Sequence, residues 1–433
     1  MLVPAALRSI IPKVVADIEV NDGASGSVRH ERQDRQLRRW ESVQFQPFDY
    51  QLDFVSGLLT QVRRSAPCIG MLMLPTGAGK TSTATQLLLK DMREQGNNDA
   101  VTIWIAPQLD LLLQAAETIE RVWMAGEGPA SLDVRFVTGK SLQVTGGRPT
   151  VLMATPISAA NFVRAMQVST AIQYVVFDEA HHLGAERFTD AWSEIVSSAP
   201  KLRFALGLSA TPMRVDDSSF NELHRALGSR LYFPQRLMPD PVSALIERGV
   251  LSHVTVKLLD DVPHYCSDAR SSASSVSGAL TADSDYWCAC ISAAQNFGKS
   301  LIVYCPDRST GRLFAGHLRA TGIAAEFVDG SDDWGTRIAI LERFRDGSTN
   351  VLVNVHLLLE GIDAPAAEGA LITYRIQSPV RLAQIVGRVM RGTMVGGTAT
   401  STILCSDRAV AKAIGDPNSS RDYNAYWSHG IGL

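Results

Sequence analysis

Several features are scarce in this 433-residue chain, and each absence excludes a class of protein. No apolar run approaches the roughly 18 residues that a membrane-spanning helix requires, so the sequence does not predict a membrane protein. The formal net charge is only −3, which excludes a general polycation. Any contact with nucleic acid would therefore have to come from a local basic patch or from backbone amides.

Cysteine is scarce as well, and its six copies are scattered along the chain. One Cys-Ala-Cys occurs, at Cys288 and Cys290, but no two close pairs could together form a zinc site. The N-terminus does not resemble a signal peptide, because Arg8 and Lys13 interrupt its apolar stretch and no small-residue cleavage site follows. We therefore expect reduced thiols and a cytoplasmic protein.

The chain does contain two blocks in which strand-like and helical stretches alternate. Its length fits two domains of about 150 to 200 residues each, and the alternation predicts an α/β fold with parallel sheets covered by helices. We place the first domain at residues 45–235 and the second at residues 285–405. The expected strands are Met71–Leu74, Val101–Ile105, Val134–Val137, Val151–Ala154, Tyr174–Phe177 and Phe204–Leu208 in the first, and Ser300–Cys305, Ala324–Val328, Asn350–Val355, Gly369–Tyr374 and Ser401–Leu404 in the second.

Three segments outside these blocks differ in composition. In the N-terminal extension, residues 1–44, apolar residues at helical spacing over 4–18 predict an amphipathic helix that packs on the main body or on a partner. Arginines then recur every third residue, a basic stripe that is either a phosphate contact or a solvated helix face. A Ser/Ala tract makes residues 236–284 a predicted linker or mobile loop. Residues 406–433 form a C-terminal tail, the second place where a protein partner could dock.

The most informative motif is a glycine loop that follows an apolar strand, Pro75-Thr76-Gly77-Ala78-Gly79-Lys80-Thr81. Gly77 and Gly79 permit the backbone to wrap around phosphates, Lys80 would reach the β and γ phosphates, and the Thr81 hydroxyl would bind Mg²⁺. The strict GxxxxGK[ST] pattern is absent, because Leu74 stands where its first glycine would be. A chance Gly-Lys-Thr is the alternative, but the preceding strand favours an NTPase.

Two adjacent acids end the strand Tyr174–Phe177. Asp178 would lie at the carboxyl edge of the sheet beside the phosphate loop, where Mg²⁺ needs an anionic ligand. Glu179 is placed to polarise the attacking water, although two adjacent acids are usually only a solvated turn. Ser209-Ala210-Thr211 closes the strand Phe204–Leu208, and its hydroxyls are candidates to bond these carboxylates.

Two arginines near the end of the second block are candidates to act on the same phosphates. Arg388 and Arg391 share one face if their segment is helical, with Gln384 one turn earlier. Arginines supplied by a second domain would stabilise transition-state charge and make hydrolysis depend on domain closure. A pair of arginines on a helix surface is the alternative, and the phosphate loop in the first domain favours the catalytic role.

Taken in order, these motifs resemble those of the DEAH/DExH-type superfamily 2 helicases over about residues 45–405. Within that superfamily, Leu359–Pro365 is similar to the branch of restriction-enzyme motor subunits, phage recombination helicases and xeroderma type B-like DNA translocases, although many members have Thr where this chain has Leu359. The matching motifs are Tyr50-Gln51, Pro75–Thr81, Ala106-Pro107-Gln108, Ala154-Thr155-Pro156, Asp178–His181, Ser209–Pro212, Asn354–Pro365 and Gln384–Arg391.

The resemblance implies two RecA-like parallel-sheet domains in tandem, with a nucleotide cleft between them, and it assigns roles by position. Gln51 would read the adenine edge of ATP. Pro107, Gln108, Thr155 and Pro156 would line a groove for the nucleic-acid backbone. The implied catalytic residues are Lys80, Asp178, Glu179, Gln384, Arg388 and Arg391; the implied ATP-binding residues are Gln51, Thr76, Gly77, Ala78, Gly79, Lys80, Thr81, Gly361 and Asp363; Thr81 and Asp178 would bind Mg²⁺.

We therefore expect an ATP-dependent helicase or translocase on nucleic acid, with DNA favoured over RNA on the resemblance to that branch alone. Two alternatives stay open: an ATP-gated nucleic-acid-binding switch or assembly subunit that does not unwind processively, and an RNA helicase. A P-loop enzyme unrelated to nucleic acid fits poorly with Asn354–Pro365 and Gln384–Arg391.

Overall fold

The computed structural model describes most of both predicted domains. The described residues are 36–37, 45–137, 146–166, 171–210, 226–228, 230–259, 285–355, 367–376, 379–415 and 431–432. The predicted amphipathic helix, the Ser/Ala tract and the candidates Thr211, Gly361 and Asp363 lie outside these ranges. Among the described residues, no helix has both the length and the apolar character that a membrane span requires.

The first domain is an α/β unit in which helices connect the strands of one sheet. Its elements are β1 Gln36–Leu37, α1 Asp49–Ser65, β2 Cys68–Met73, α2 Lys80–Gln95, β3 Val101–Ile105, α3 Leu109–Met124, β4 Leu132–Phe136, β5 Thr150–Ala154, α4 Pro156–Met166, β6 Ile172–Phe177, α5 Glu186–Ser197, β7 Phe204–Ser209 and β8 Leu231–Phe233. The described strands follow the order β1-β4-β5-β3-β6-β7-β2-β8, and neighbouring strands are parallel except for β1 and β4.

The second domain repeats this plan with a smaller parallel sheet. Helix α6 Pro241–Glu247 follows β8, and its Leu245 packs into a core cluster of the first domain. The elements of the second domain are β9 His253–Leu258, α7 Asp285–Asn296, β10 Leu301–Tyr304, α8 Arg308–Ala320, β11 Ala325–Val328, α9 Trp334–Arg345, β12 Val351–Asn354, β13 Gly369–Ile372, α10 Pro379–Val389, β14 Thr400–Cys405 and α11 Arg408–Gly415. The strand order is β11-β12-β10-β13-β14-β9. A last short strand, β15 Ile431–Gly432, pairs in parallel with β8 and so extends the first sheet.

Hydrophobic clusters lie on both faces of each sheet, because the central strands carry apolar side chains on both sides. On β3, Trp104 packs into one cluster, whereas Ile103 and Ile105 pack into the other. Ile302 and Val303 of β10 separate in the same way in the second domain. This alternation follows the two-residue period of a strand. Each sheet is therefore buried in the middle of its domain, and the ends of its strands are where functional groups are presented.

All eleven strands expected from the sequence are present, with bounds that differ by a few residues at most. The linker predicted at residues 236–284 is wrong for its first part, since 241–247 is helical and 253–258 is the edge strand of the second sheet. The predicted boundary at residue 285 therefore falls too late. Residues 36–37, within the stripe expected to be helical, form a strand, and the predicted tail contains helix α11 and strand β15.

Candidate active site

The glycine loop connects the end of β2 to the start of α2. Gly77 and Gly79 have φ angles of +85° and +80°, in the left-handed region that only glycine adopts without strain. Lys80 is the first residue of α2, so the loop delivers its backbone N–H groups to a helix N-terminus, which favours phosphate. Behind the loop, the Tyr50 hydroxyl donates a hydrogen bond of 2.9 Å to the carbonyl oxygen of Ala78. The loop therefore has the backbone conformation that phosphate binding requires, and Tyr50 supports it from behind.

Gln51 lies against this loop. Its side-chain Nε2 donates to the Thr83 hydroxyl at 3.1 Å, and its Oε1 accepts a hydrogen bond of 3.0 Å from the backbone N–H of Phe48. The residue is only 3% exposed. The rings of Phe48 and Tyr50 beside it are nearly parallel, with centroids 5.6 Å apart. In the structure Gln51 thus supports the loop and the start of α2, and its adenine contact stays a prediction.

Strand order explains why the acids meet the glycine loop. Strand β7 separates β6 from β2, so Asp178 at the end of β6 and the loop after β2 share one carboxyl edge. The Thr81 hydroxyl donates to Asp178 Oδ2 at 3.1 Å. Burial, followed by the negative charge of Glu179, raises the pKa of Asp178 above its ordinary value. Ser209, at the end of β7, is fully buried at this same edge.

These groups fit a Mg²⁺ ion that also binds phosphate. Thr81 and Asp178 offer one hydroxyl and one carboxylate, and Mg²⁺ commonly takes one or two carboxylates and completes its shell with phosphate oxygens and water. Among the described residues, no group of three or more His, Cys, Asp or Glu side chains could hold a metal by itself. Thr81 and Asp178 therefore supply donors of the kind that a nucleotide-bound Mg²⁺ ion takes.

Glu179 stands in an unusual backbone conformation. Its φ of +50° is the single positive value at a non-glycine position in the described residues, and such strain concentrates at functional sites. His181 Nδ1 lies 3.3 Å from Glu179 Oε2. Burial would raise the pKa of Glu179, but the His181 hydrogen bond and the charges of Lys80 and Arg388 outweigh it and lower the pKa. Glu179 is therefore held as a carboxylate.

Helix α10 brings the second domain onto this site. Gly387 lies so close to Thr76 of the glycine loop that a side chain would have no room, and a Cβ there would be 2.8 Å from the Thr76 Cγ2. The next residue, Arg388, acts electrostatically on Glu179. Gln384 is buried one turn earlier. Arg391 lies two residues beyond the last helical residue, so the shared helix face expected for Arg388 and Arg391 is not formed.

The residues expected to contact nucleic acid lie together at another part of the same edge. Strands β3 and β5 are neighbours, and Ala106 N–H donates to the Ala154 carbonyl at 3.2 Å. Gln108 is exposed where α3 begins. The Thr155 hydroxyl donates to the Ser158 hydroxyl at 2.9 Å where α4 begins, whereas Pro156 is buried. Gln108 and Thr155, together with the half-buried Pro107, are the accessible members of the predicted set.

Two family models match the chain, one on each domain. Residues 44–214 match the res subunit of type III restriction enzymes, and residues 284–393 match the helicase conserved C-terminal domain. The chain belongs to the superfamily 2 helicases. The RecA-like fold expected from the motifs is confirmed.

Curated relatives of this helicase are named as RNA helicases. The ATP-dependent RNA helicase DBP10 of Ajellomyces capsulatus is 25% identical over 356 residues, which cover 76% of this chain and 37% of the relative. The ATP-dependent RNA helicase dbp-10 of Neurospora crassa is 28% identical over 339 residues, 75% of this chain and 35% of the relative. The chain thus spans well under half the length of these relatives.

Solved structures share the fold at low sequence identity. S. cerevisiae Dbp5 bound to RNA and ADP BeF3 superposes with a TM-score of 0.56 at 16% identity, covering 88% of this chain and 97% of that one. The helicase domain of Pyrococcus furiosus Hef gives a TM-score of 0.50 at 18% identity, covering 87% and 97%. The predicted restriction-enzyme branch is not confirmed, because the curated relatives are RNA helicases; those names support the RNA alternative better than the expected preference for DNA.

Three contacts of this helicase site were not expected from the sequence. The Tyr50 hydroxyl supports the glycine loop, and His181 forms a hydrogen bond with Glu179. The absence of a side chain at Gly387 lets the glycine loop pack against α10. A signal existed for two of them: His181 belongs to the Asp178–His181 motif, and a glycine inside a helical segment indicates a close packing contact. The Tyr50 contact joins residues far apart in sequence and had no local signal.

The Gly387 contact leads to a testable prediction. Replacing Gly387 by Ala would push α10 away from Thr76, and overpacking that cannot relax costs about 1–3 kcal/mol. We expect ATP turnover to fall by about tenfold or more, because Arg388 follows directly in the chain. Steady-state ATPase assays measure this. Gly316→Ala is the matched control, since Gly316 lies inside helix α8 and a side chain added there would point into open space. Equal turnover in both variants would contradict the packing argument.

Proposed function

We propose that this helicase is a nucleic-acid-dependent ATPase that acts on RNA and hydrolyses ATP when its two domains close. One observation carries the proposal. Helix α10 packs Gly387 against Thr76 and holds Arg388 near enough to Glu179 to contribute to the lowered pKa of that carboxyl group. The residue placed to activate water and the arginine placed to neutralise charge thus come from different domains, so hydrolysis depends on closure.

Each group at the site has a separate task in this proposal. The backbone N–H groups of the glycine loop and the Lys80 ammonium bind the phosphates. Glu179, held as a carboxylate, orients the attacking water and accepts its proton. Arg388 offsets the charge on the transferred phosphoryl group as the bond to ADP breaks. Thr81 and Asp178 are the residues that would hold Mg²⁺, whose charge would offset that of the phosphates.

The nucleic-acid strand would cross the carboxyl edge where α3 and α4 begin. Both helices start at this edge, and the N–H groups of a first helical turn attract phosphate. Gln108 and the Thr155 hydroxyl add polar groups that can contact the sugar-phosphate backbone without reading the bases. RNA is supported as the track by the names of the curated relatives.

DNA is the second candidate track, and one observation favours it. The model that matches residues 44–214 is that of a restriction-enzyme subunit. The resemblance of Leu359–Pro365, a segment outside the described residues, to the DNA-translocase branch points the same way. For a protein that binds them, RNA and DNA differ mainly in the 2′-hydroxyl group. Binding measured with RNA and DNA strands of the same sequence therefore distinguishes the two candidates.

Equilibrium binding tests this proposal without relying on turnover. The Glu179→Gln variant, which should hold ATP without hydrolysing it, is titrated against fluorescent single strands of RNA and DNA of the same sequence at fixed low salt. With ATP and Mg²⁺ we expect RNA to bind at least about tenfold more tightly than with ADP, and more tightly than DNA. Tighter binding of DNA would replace RNA by the second candidate. Equal affinities with ATP and ADP for both strands would contradict an ATP-gated nucleic-acid site.

A further inference from the structure

Two buried serines lie at the end of helix α10, directly after Arg388. The Ser401 hydroxyl, on β14, donates a hydrogen bond of 2.6 Å to the carbonyl oxygen of Val389, the last residue of that helix. The Ser252 hydroxyl is 3.4 Å from the same carbonyl but only 2.7 Å from the Ser401 hydroxyl. Both serines are fully buried. Because a hydroxyl has a single proton and Ser401 gives its own to Val389, Ser252 donates to Ser401. The two serines thus form one chain of hydrogen bonds that ends on α10.

The first of these serines ends a short connecting segment, residues 249–252. This segment runs from α6 to β9 and so joins the first domain to the second. The Val250 carbonyl accepts a hydrogen bond of 2.9 Å from the Gly392 N–H, in the chain that leaves α10. Leu251 is buried in a core cluster of the first domain, and its Cδ2 would lie 3.4 Å from a Cβ at Gly77 of the glycine loop. The connecting segment is therefore packed between the glycine loop and the end of α10.

Arg388 depends on this packing because it stands in the last turn of its helix. The carbonyl groups of a last turn have no partner within the helix, and helix ends open more easily than helix centres. The Val389 carbonyl also accepts a hydrogen bond of 2.8 Å from the Arg391 N–H, but that donor belongs to the same end of the helix and moves with it. The serines instead connect the carbonyl to β14 and to the connecting segment. They therefore hold the backbone from which the Arg388 side chain extends.

We infer that Ser252 and Ser401 are positioning residues that fix Arg388 for the transfer of the phosphoryl group. The inference rests on the proposed function, and in particular on the role of Arg388 in it. Both serines are fully buried, so they act on the reaction through α10 and not by touching ATP. Loss of a hydroxyl should therefore slow the chemical step. ATP affinity should stay unchanged, since the glycine loop that binds the phosphates belongs to the first domain.

The test is single-turnover hydrolysis of ATP by Ser401→Ala in two backgrounds, with enzyme in excess and single-stranded RNA at saturation. In the wild-type background we expect the rate to fall by about tenfold or more, because small displacements of a reacting group have large effects on rate. In the Arg388→Ala background the same change should have no further effect, since residues that act through one another are not additive. Equilibrium binding of a fluorescent ATP analogue to Ser401→Ala should match that of the wild type.

Ser252→Ala is the second variant, and it removes only the outer hydroxyl of the chain. Ser401 keeps its hydrogen bond to Val389 in this variant, so we expect a smaller fall in rate than Ser401→Ala gives. The fall should again disappear in the Arg388→Ala background. In the Ser401→Ala background Ser252→Ala should have no further effect, because the hydrogen-bond chain is already broken there. A further fall in that background would contradict the chain.

Thr349→Val is the matched control, since it removes another buried hydroxyl of the second domain. The Thr349 hydroxyl donates to Glu326 Oε1 at 2.7 Å. Thr349 precedes β12, which β10 and β13 separate from β14, so the rate should stay at the wild-type value. The inference is overturned if Ser401→Ala keeps the wild-type rate, slows the Arg388→Ala variant by the same factor, or weakens ATP binding, and also if Thr349→Val slows hydrolysis equally. A wild-type rate in Arg388→Ala itself would overturn the proposed function, and the inference with it.

Discussion

Glu179→Gln is expected to lower the kcat of ATP hydrolysis by about 10²- to 10⁴-fold, the range that general-base catalysis contributes, while ATP binding persists. Glu179 is held as a carboxylate by His181, Lys80 and Arg388, so it is available to accept a proton from water at neutral pH. Glutamine keeps the size and much of the hydrogen bonding but cannot accept that proton. Steady-state turnover and equilibrium binding of a fluorescent ATP analogue, measured on the same preparation, separate the two effects.

A surface glutamate provides the comparison for this variant. Glu194 of α5 forms an exposed ion pair with Arg164 of α4, so Glu194→Gln makes the same chemical change away from the site and should leave kcat at the wild-type value. Turnover by Glu179→Gln at that same value would remove Glu179 from the mechanism. Loss of ATP binding together with turnover would instead show that Glu179 supports the loop and does not act on water.

Arg388→Ala is expected to have an effect of similar or larger size. An arginine supplied to the transferred phosphoryl group is worth about 10³ to 10⁵ in kcat, and the charge of Arg388, in the second domain, helps to lower the pKa of Glu179 in the first. The glycine loop, Lys80 and Asp178 all belong to the first domain, so ATP affinity should change little. Single-turnover hydrolysis with enzyme in excess measures the chemical step without product release.

Two other arginines near α10 sharpen this prediction. Arg381 lies in the same helix, on its exposed side, and Arg381→Ala should leave the single-turnover rate unchanged. Arg391 was expected from the sequence to act with Arg388, but it lies past the helix end. A rate for Arg388→Ala within threefold or so of the rate for Arg381→Ala would contradict the charge-neutralising role.

The sequence predicts the central strands well because they are apolar and bounded by turns. It misses the edge strand β9. Strand β9 alternates His253, Thr255 and Lys257 with Val254 and Val256, a two-residue period typical of a half-buried strand, and all six of its residues are at least partly exposed. Because the Ser/Ala tract that follows β9 is typical of a linker, the composition of residues 236–284 predicts a single linker and hides the strand pattern. The alternation of a strand that is polar on one face therefore has to be considered separately from the average composition of the residues around it.

The features of the site also differ in whether neighbouring residues are enough to predict them. The glycine loop and the acid pair Asp178-Glu179 are each specified by a few consecutive residues, because those same residues supply the functional groups and determine the backbone conformation. The contacts that relate the two domains are not local. Asp110 and Arg337, whose side chains form an ion pair between the two domains, are separated by 227 residues, and no spacing rule connects them, since their meeting depends on how two complete sheets pack. The same holds for Thr76 and Gly387.

The most direct test of the central claim is the steady-state rate of ATP hydrolysis by the wild-type chain with and without single-stranded RNA, at one fixed low salt concentration, with Glu179→Gln as the blank. The account predicts slow turnover without a strand and a stimulation of at least about tenfold at saturating RNA, since a bound strand closes the two domains and brings Arg388 to the phosphates. A rate above the blank that neither RNA nor DNA changes would contradict it.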